Sequence, residues 1–307
     1  MLRFAALFFL LLSCASAQAF SQCTSKALAG PGAKVAEEGA NPVEWGKYSY
    51  AGFSYKNQIG VVTSPDYGKT VGAPVTIVAG DYPATQLRLA ASYEHVYAVW
   101  AEHIGDTFSL MFDASRDHGF AGSWGKPLSF GPFKPSLTQI SADGPNVHIA
   151  YLQSDGTVAV LNSTDAGKHF SAPTGIAPGW GEIVIASLNS NVYVAWNTDV
   201  NGRFDVSLAV SHDGGATFEV QNISAGRPSS AREPIFALEQ KSGRLSLIWR
   251  EDVPVQGVYL QSLDNGATWS SPVAVDTPAR QYMVVDDGKY IYLSYLPDGV
   301  VMYGVCQ

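Results

Sequence analysis

The stretch Val206-Ser207-Leu208-Ala209-Val210-Ser211-His212-Asp213-Gly214-Gly215 decides how this chain folds. Its first five residues alternate as a half-buried strand does, and its last five form the pattern Ser-x-Asp-x-Gly. In such a turn the short Asp side chain takes N–H groups of its own backbone and the Gly supplies a positive φ. An aromatic three residues on, Phe218, then returns to a core. The pattern reads as a clasp joining two antiparallel strands, and it carries no catalytic meaning.

Outward from this copy the pattern recurs at Ser64 to Gly68, Ser115 to Gly119, Ser163 to Gly167 and Ser262 to Gly266. The clasp aspartates are thus Asp66, Asp117, Asp165, Asp213 and Asp264, separated by 51, 48, 48 and 51 residues. The following aromatic is in place as Phe170, Phe218 and Trp269, is delayed to Trp124 in the second copy, and is Val71 in the first. A second repeated element precedes each clasp from the second onward and recurs near the end of the chain, an apolar run ending in an aromatic: Val96 to Trp100, Val147 to Tyr151, Val192 to Trp196, Leu245 to Trp249 and Ile291 to Tyr295. Nearly unbroken apolar composition marks these strands as buried on both faces. With a less regular copy at Tyr48 to Tyr55 they number six.

A unit of this length holding four strands has the size of a propeller blade. The expectation is an all-β, six-bladed β-propeller with four-stranded antiparallel blades, occupying residues 20–307 as a single domain. Strands near Gln281 to Val285, Tyr290 to Tyr295 and Val300 to Cys306 leave the last blade one strand short. The segment Phe20 to Ala27 is expected to complete it and to close the ring.

Residues 1–19 read as a signal peptide: Arg3, an apolar run from Phe4 to Leu12, and small residues at Ala15-Ser16-Ala17, with Ala17-Gln18-Ala19 as an alternative cut. No other stretch approaches the length of a transmembrane segment. The chain is expected to be secreted, extracellular or periplasmic, although Leu11 to Cys14 also resembles a lipobox that would leave Cys14 acylated. Export meets an oxidising compartment, so Cys23 and Cys306, at opposite ends of the mature chain, are expected to form a disulfide if the fold closes on itself; two free thiols are the other reading. A net charge of -8 argues against a nucleic-acid partner. Asn162-Ser163-Thr164 and Asn222-Ile223-Ser224 fit the glycosylation acceptor pattern without deciding anything.

These repeats resemble the Asp-box, or bacterial neuraminidase repeat, family over nearly the whole mature chain. The resemblance implies a propeller but no single activity, since such propellers include sialidases, lectins and assembly factors. Sialidases use three arginines to clamp a sugar carboxylate, a Tyr activated by a Glu, and an Asp as acid/base. Planar guanidinium groups suit a carboxylate because they bind it with two parallel bonds. Here no arginine lies between Arg3 and Arg88, so the first clamp residue of the family is missing. Glu233-Pro234 followed by Arg244 and Arg250 is similar to the segment carrying the activating Glu and second Arg, one residue too long. Arg232, Arg280 and Tyr282 complete the catalytic candidates by residue type only.

Loops opposite the clasps are expected to meet ligand. They offer Tyr82, Glu102, His103, Trp180, Asp199, Arg203 and Glu251, a mixture of aromatics and charges suited to carbohydrate or peptide. The histidines lack metal-ligand spacing, and neither a metal site nor a cofactor is expected. The leading reading is a monomeric, non-catalytic propeller binding a glycan or an extracellular protein. The alternative is a divergent exo-acting glycoside hydrolase of the exo-alpha-sialidase type.

Overall fold

The computed structural model describes residues 43–55, 57–134, 138–239, 241–275, 282–286, 291–295 and 302–306. The signal peptide, Cys23, the strand expected to complete the last sheet, and Arg280 lie outside the described residues. All regular structure described is β, and no helix among the described residues is long and apolar enough to cross a membrane.

The chain divides into two compact units. The first, residues 1–135 with 164–169, holds two four-stranded antiparallel meanders. They are β1 (Val43–Trp45) to β4 (Val75–Ala79) through β2 (Tyr48–Tyr55) and β3 (Gln58–Ser64), and β5 (Ala84–Ser92) to β8 (Leu128–Phe133) through β6 (His95–Ile104) and β7 (Thr107–Ser115). The second unit, residues 136–163 with 170–307, continues the pattern. One sheet holds β9 (Gln139–Asp143), β10 (Asn146–Leu152), β11 (Thr157–Ser163) and β12 (Thr174–Pro178). The next holds β13 (Ile183–Leu188), β14 (Asn191–Val200), β15 (Arg203–Ser211) and β16 (Glu219–Asn222). A third holds β17 (Ala231–Leu238), β18 (Leu245–Asp252), β19 (Val255–Ser262) and β20 (Val273–Val275), and the last has β21 (Tyr282–Asp286), β22 (Ile291–Tyr295) and β23 (Met302–Cys306).

Burial follows strand position. The second strands β6, β10, β14 and β18 are buried on both faces for most of their length, because each lies inside its sheet and between packed layers. The fourth strand β16 is exposed throughout. In the second unit β9 lies beside β13, β13 beside β17, and β17 beside β21. Polar side chains stitch these neighbours together: Ser141 to Ser187 at 2.8 Å, Asn162 Nδ2 to the Gly215 carbonyl at 2.9 Å, and Asn197 Nδ2 to the Ala231 carbonyl at 3.0 Å. In the first unit Thr63 Oγ1 donates to the His118 carbonyl at 2.9 Å in the same manner.

Each clasp joins the third strand of its sheet to the fourth, as its sequence implies. In the fourth copy Asp213 takes the Thr217 N–H at 2.9 Å and the Thr217 hydroxyl at 2.6 Å, while the Gly215 N–H goes to Ser211 Oγ at 2.9 Å. The roles of the Ser and of the Thr four residues after the Asp are additions to the sequence reading. Asp66 and Asp264 repeat the bonds to threonine, and Asp165 uses His169 instead. The second copy departs from expectation: the fourth residue after Asp117 is Ala121, which has no hydroxyl. There the turn is held by Ser115 and Ser123 at 2.6 Å and by the Gly125 N–H on Asp113 at 3.1 Å, so Asp117 is not the clasp residue.

The Thr217 hydroxyl, its N–H and Ser211 hold the Asp213 carboxyl down to about 2, below its ordinary 3.8. A depressed carboxyl stabilises the fold above its ordinary range, and that contribution is lost as pH falls toward about 2. The melting-temperature gap between the native protein and Asp213→Ala should therefore narrow from pH 5 to pH 2.5. A gap of constant width would show that the carboxylate charge is not what closes the turn.

Candidate functional site

The second unit gathers a ring of contacts at one end of its sheets, beginning where β12 passes into β13. Gly179 crosses so close to Trp196 and Val158 that a Cβ there would stand 2.4 Å from Val158 Cγ2 and 2.9 Å from Trp196 Cδ1. Only glycine fits, and the chain turns Trp180 outward, leaving it 56% exposed. The Trp180 N–H reaches the Asn197 carbonyl at 2.8 Å and the Asn197 N–H reaches the Glu182 carbonyl at 3.1 Å. The end of β14 thus fixes Trp180 and Glu182 side by side.

The Trp180 ring lies 4.7 Å from that of Phe204, and the Arg232 guanidinium sits 3.7 Å from the Phe204 centroid, over its ring. Arg232 comes from a bulge in β17. Arg232 pairs with Arg250 and Ile235 with Ile248, so Glu233 and Pro234 together face the single residue Trp249. Glu233 takes φ 57°, a left-handed conformation uncommon outside glycine, and the bulge thereby re-aims its side chain. Its carboxylate meets Arg250 at 3.3 Å, Arg250 meets Asp252 at 3.1 Å, and Asp252 takes Arg232 Nε at 2.9 Å. Glu182 lies close enough to these pairs for the charges of Glu233, Arg250 and Arg232 to act on its carboxyl, and it closes the circuit back to Trp180.

The circuit carries three carboxylates and two guanidinium groups. Burial, and then the neighbouring Glu233 charge, push the Glu182 carboxyl above its usual range. Burial does the same to Glu233 and outweighs the opposing pull of Arg250. Two carboxyls with elevated proton affinity therefore share one corner of the site.

Of the residues singled out in the sequence, Arg232, Glu233, Arg250 and Trp180 come together here. Arg203 lies alongside, bonded to Asp205 at 3.1 Å and to the Arg227 carbonyl at 3.1 Å. Asp199 is at the exposed tip of the β14–β15 hairpin, where it takes the Gly202 N–H at 2.7 Å. Glu251 requires correction. It is 0% exposed and bonded to Arg227, because alternation along β18 puts Arg250 and Asp252 on one face and Glu251 on the other. Glu182 and Phe204 were not among the candidate residues; the Gly-Trp-Gly-Glu run was the available signal for the first.

Tyr82, Glu102 and His103 belong to the first unit. Glu102 takes the Trp100 indole N–H at 3.1 Å, His103 stacks on Phe108, and Tyr82 is exposed. The backbone there repeats the bulge of β17, with Gln86 at φ 55° and Leu87 opposite Trp100. Gln86 stands where the second unit has Glu233, and Ala101 where it has Arg250, so the charged pair is not repeated. Tyr282 opens β21. Among the described residues no group of three His, Cys, Asp or Glu is placed to hold a metal ion.

No family model matches this sequence, and no match is found among curated proteins. Solved structures do resemble it. A protein of unknown function from Dyadobacter fermentans shares 15% identity over 90% of this chain and 98% of its own, with a TM-score of 0.57. A polysaccharide lyase, the ulvan lyase of family PL25, shares 13% over 90% of this chain and 81% of its own, with a TM-score of 0.53. Trypanosoma rangeli sialidase, solved with the inhibitor DANA, shares 12% over 84% of this chain, with a TM-score of 0.52; the match spans about half, 52%, of the sialidase chain. At these identities the likeness is one of fold alone, and the fold is all-β and of the propeller type these neighbours share.

Proposed function

We propose that this chain is a non-catalytic glycan-binding module whose site is the circuit from Trp180 to Glu182. One observation carries the reading: an indole held outward by a glycine that cannot be replaced, next to half-buried carboxylates and guanidinium groups. Sugars present apolar C–H faces that stack on such a ring and hydroxyl edges that bond to such acids. Neighbours active on glycans support the choice of ligand class. A glycan array probed with the purified protein should show retained sugars, and Trp180→Ala should weaken their binding by about 2 kcal/mol, roughly 30-fold. Silence across the array would end this reading and turn attention to a protein partner.

One feature favours the alternative, a glycoside hydrolase. Glu182 and Glu233 both hold protons more tightly than an ordinary carboxyl, as a general acid must. The sialidase version fits less well, because the Arg250 and Arg232 charges are already met by Glu233 and Asp252. Turnover of an aryl glycoside by the purified protein, abolished by Glu233→Gln, would replace binding with catalysis.

The same proposal includes six blades in one closed ring, export of the mature chain, and the Cys23–Cys306 disulfide. It is supported by the repeat of the clasp and by a last sheet described with three strands where the other sheets have four. Mass analysis of unreduced peptides should find the two cysteines linked, and free thiols at both would remove the covalent closure.

A further inference from the structure

We infer that the site selects a saccharide bearing a protonated amine, an amino sugar, with Glu182 receiving the ammonium group and Trp180 the ring face. This rests on the glycan-binding reading and adds the ligand's charge. The guanidinium groups offer little to an acidic sugar. Both terminal nitrogens of Arg250 are engaged, by Glu233 and Asp252, and its Nε is buried away from solvent. Arg232 gives its Nε to Asp252 and sets its guanidinium carbon 3.7 Å from the centroid of Phe204. An incoming carboxylate would therefore meet three carboxylates already seated in the circuit, and like charges in a half-buried site repel strongly.

Glu182 is placed differently from the other two acids. Glu233 and Asp252 each pair with a guanidinium group, whereas no such pair is found for Glu182 among the described residues, and it lies two residues from the exposed indole in the chain, with both residues tied by their backbone to Asn197. A cation set there gains a charge-assisted bond to the acid and attraction to the face of the aromatic ring. A saccharide with an amine on the ring satisfies both at once, since its C–H face and its ammonium group are a bond or two apart. The net charge of -8 adds a weaker, longer-ranged attraction of the same sign.

The test is titration calorimetry of the full chain at pH 6.5 and physiological salt, where exposed charges are largely screened. The probes are a glucosamine tetramer, its fully N-acetylated form, a galacturonic acid tetramer and a tetralysine peptide. The glucosamine tetramer should bind at least tenfold more tightly than each of the others. Glu182→Gln should bring it level with the N-acetylated form. Equal or tighter binding of the N-acetylated or acidic tetramer would overturn the charge preference and leave glycan binding standing. So would a preference that survives Glu182→Gln, and tetralysine binding as well as glucosamine would reduce the effect to charge alone. If none of the saccharides binds and the glycan array is also silent, both readings fail together.

Discussion

Arg227→Met is expected to destabilise the protein by about 3–5 kcal/mol, because it strands a buried carboxylate. Glu251 has no exposed surface, and its two oxygens are taken by Arg227 Nε at 2.5 Å and Nη2 at 3.0 Å, with Gln256 Nε2 at 2.9 Å from the second. Burial alone would push this carboxyl up; the bonds from Arg227 and Gln256 outweigh it and hold the group below its ordinary range. With the guanidinium gone, the acid either stays charged without a partner or takes up a proton, and both cost stability. Urea unfolding at pH 7 measures the loss. Converting Glu251 and Arg227 together to Met should cost less than the single change, since a buried pair often contributes little net stability. A single variant within 1 kcal/mol of the native protein would mean that water reaches Glu251.

That pair also shows where sequence reading stops. The clasps were readable because every partner in them lies within a few residues: Ser211, Asp213, Gly215 and Thr217 meet one another along the turn. The aromatic-ended strands were readable because unbroken apolar composition has few physical meanings, and Trp100, Trp196 and Trp249 are all buried. The face of β18 presented by each charged residue was a different matter. Arg250, Glu251 and Asp252 look equivalent as a run of three, yet strand alternation separates the middle one from its neighbours, and the start of that alternation is set by pairing with β17. The bulge that brings Glu233 to Arg250 leaves no local mark beyond the Pro that follows it. Phe204 was missed for the same reason, as its contacts to Trp180 and Arg232 cross between separate strands. The departure at Asp117 was half visible: the delayed aromatic at Trp124 announced an irregular turn, but not that Ser123 would replace the aspartate in holding it.

Trp249→Ala should destabilise the protein by about 3–5 kcal/mol, whereas Trp180→Ala should change stability by less than about 0.5 kcal/mol. The two residues are chemically identical and belong to the same unit, so the contrast isolates position. Trp249 is fully buried in a cluster with Leu247, Val258 and Leu260, and removing the indole leaves a cavity that close-packed neighbours fill only in part. It is also the residue opposite the Glu233–Pro234 bulge, so the loss should loosen the left-handed backbone at Glu233 and weaken the Arg250 pair. Trp249→Phe, which keeps most of the volume, should recover much of the stability. Trp180 instead shows more than half its surface to solvent, and its backbone bond to Asn197 survives truncation of the ring. An exposed indole that contributes little to stability, held in place by a glycine with no room for a side chain, is best explained by what it touches from outside. Unfolding curves for the two variants, recorded beside their glycan titrations, test that explanation directly. If Trp180→Ala proved as destabilising as Trp249→Ala, the ring would belong to the packing and the binding site would lose its centre.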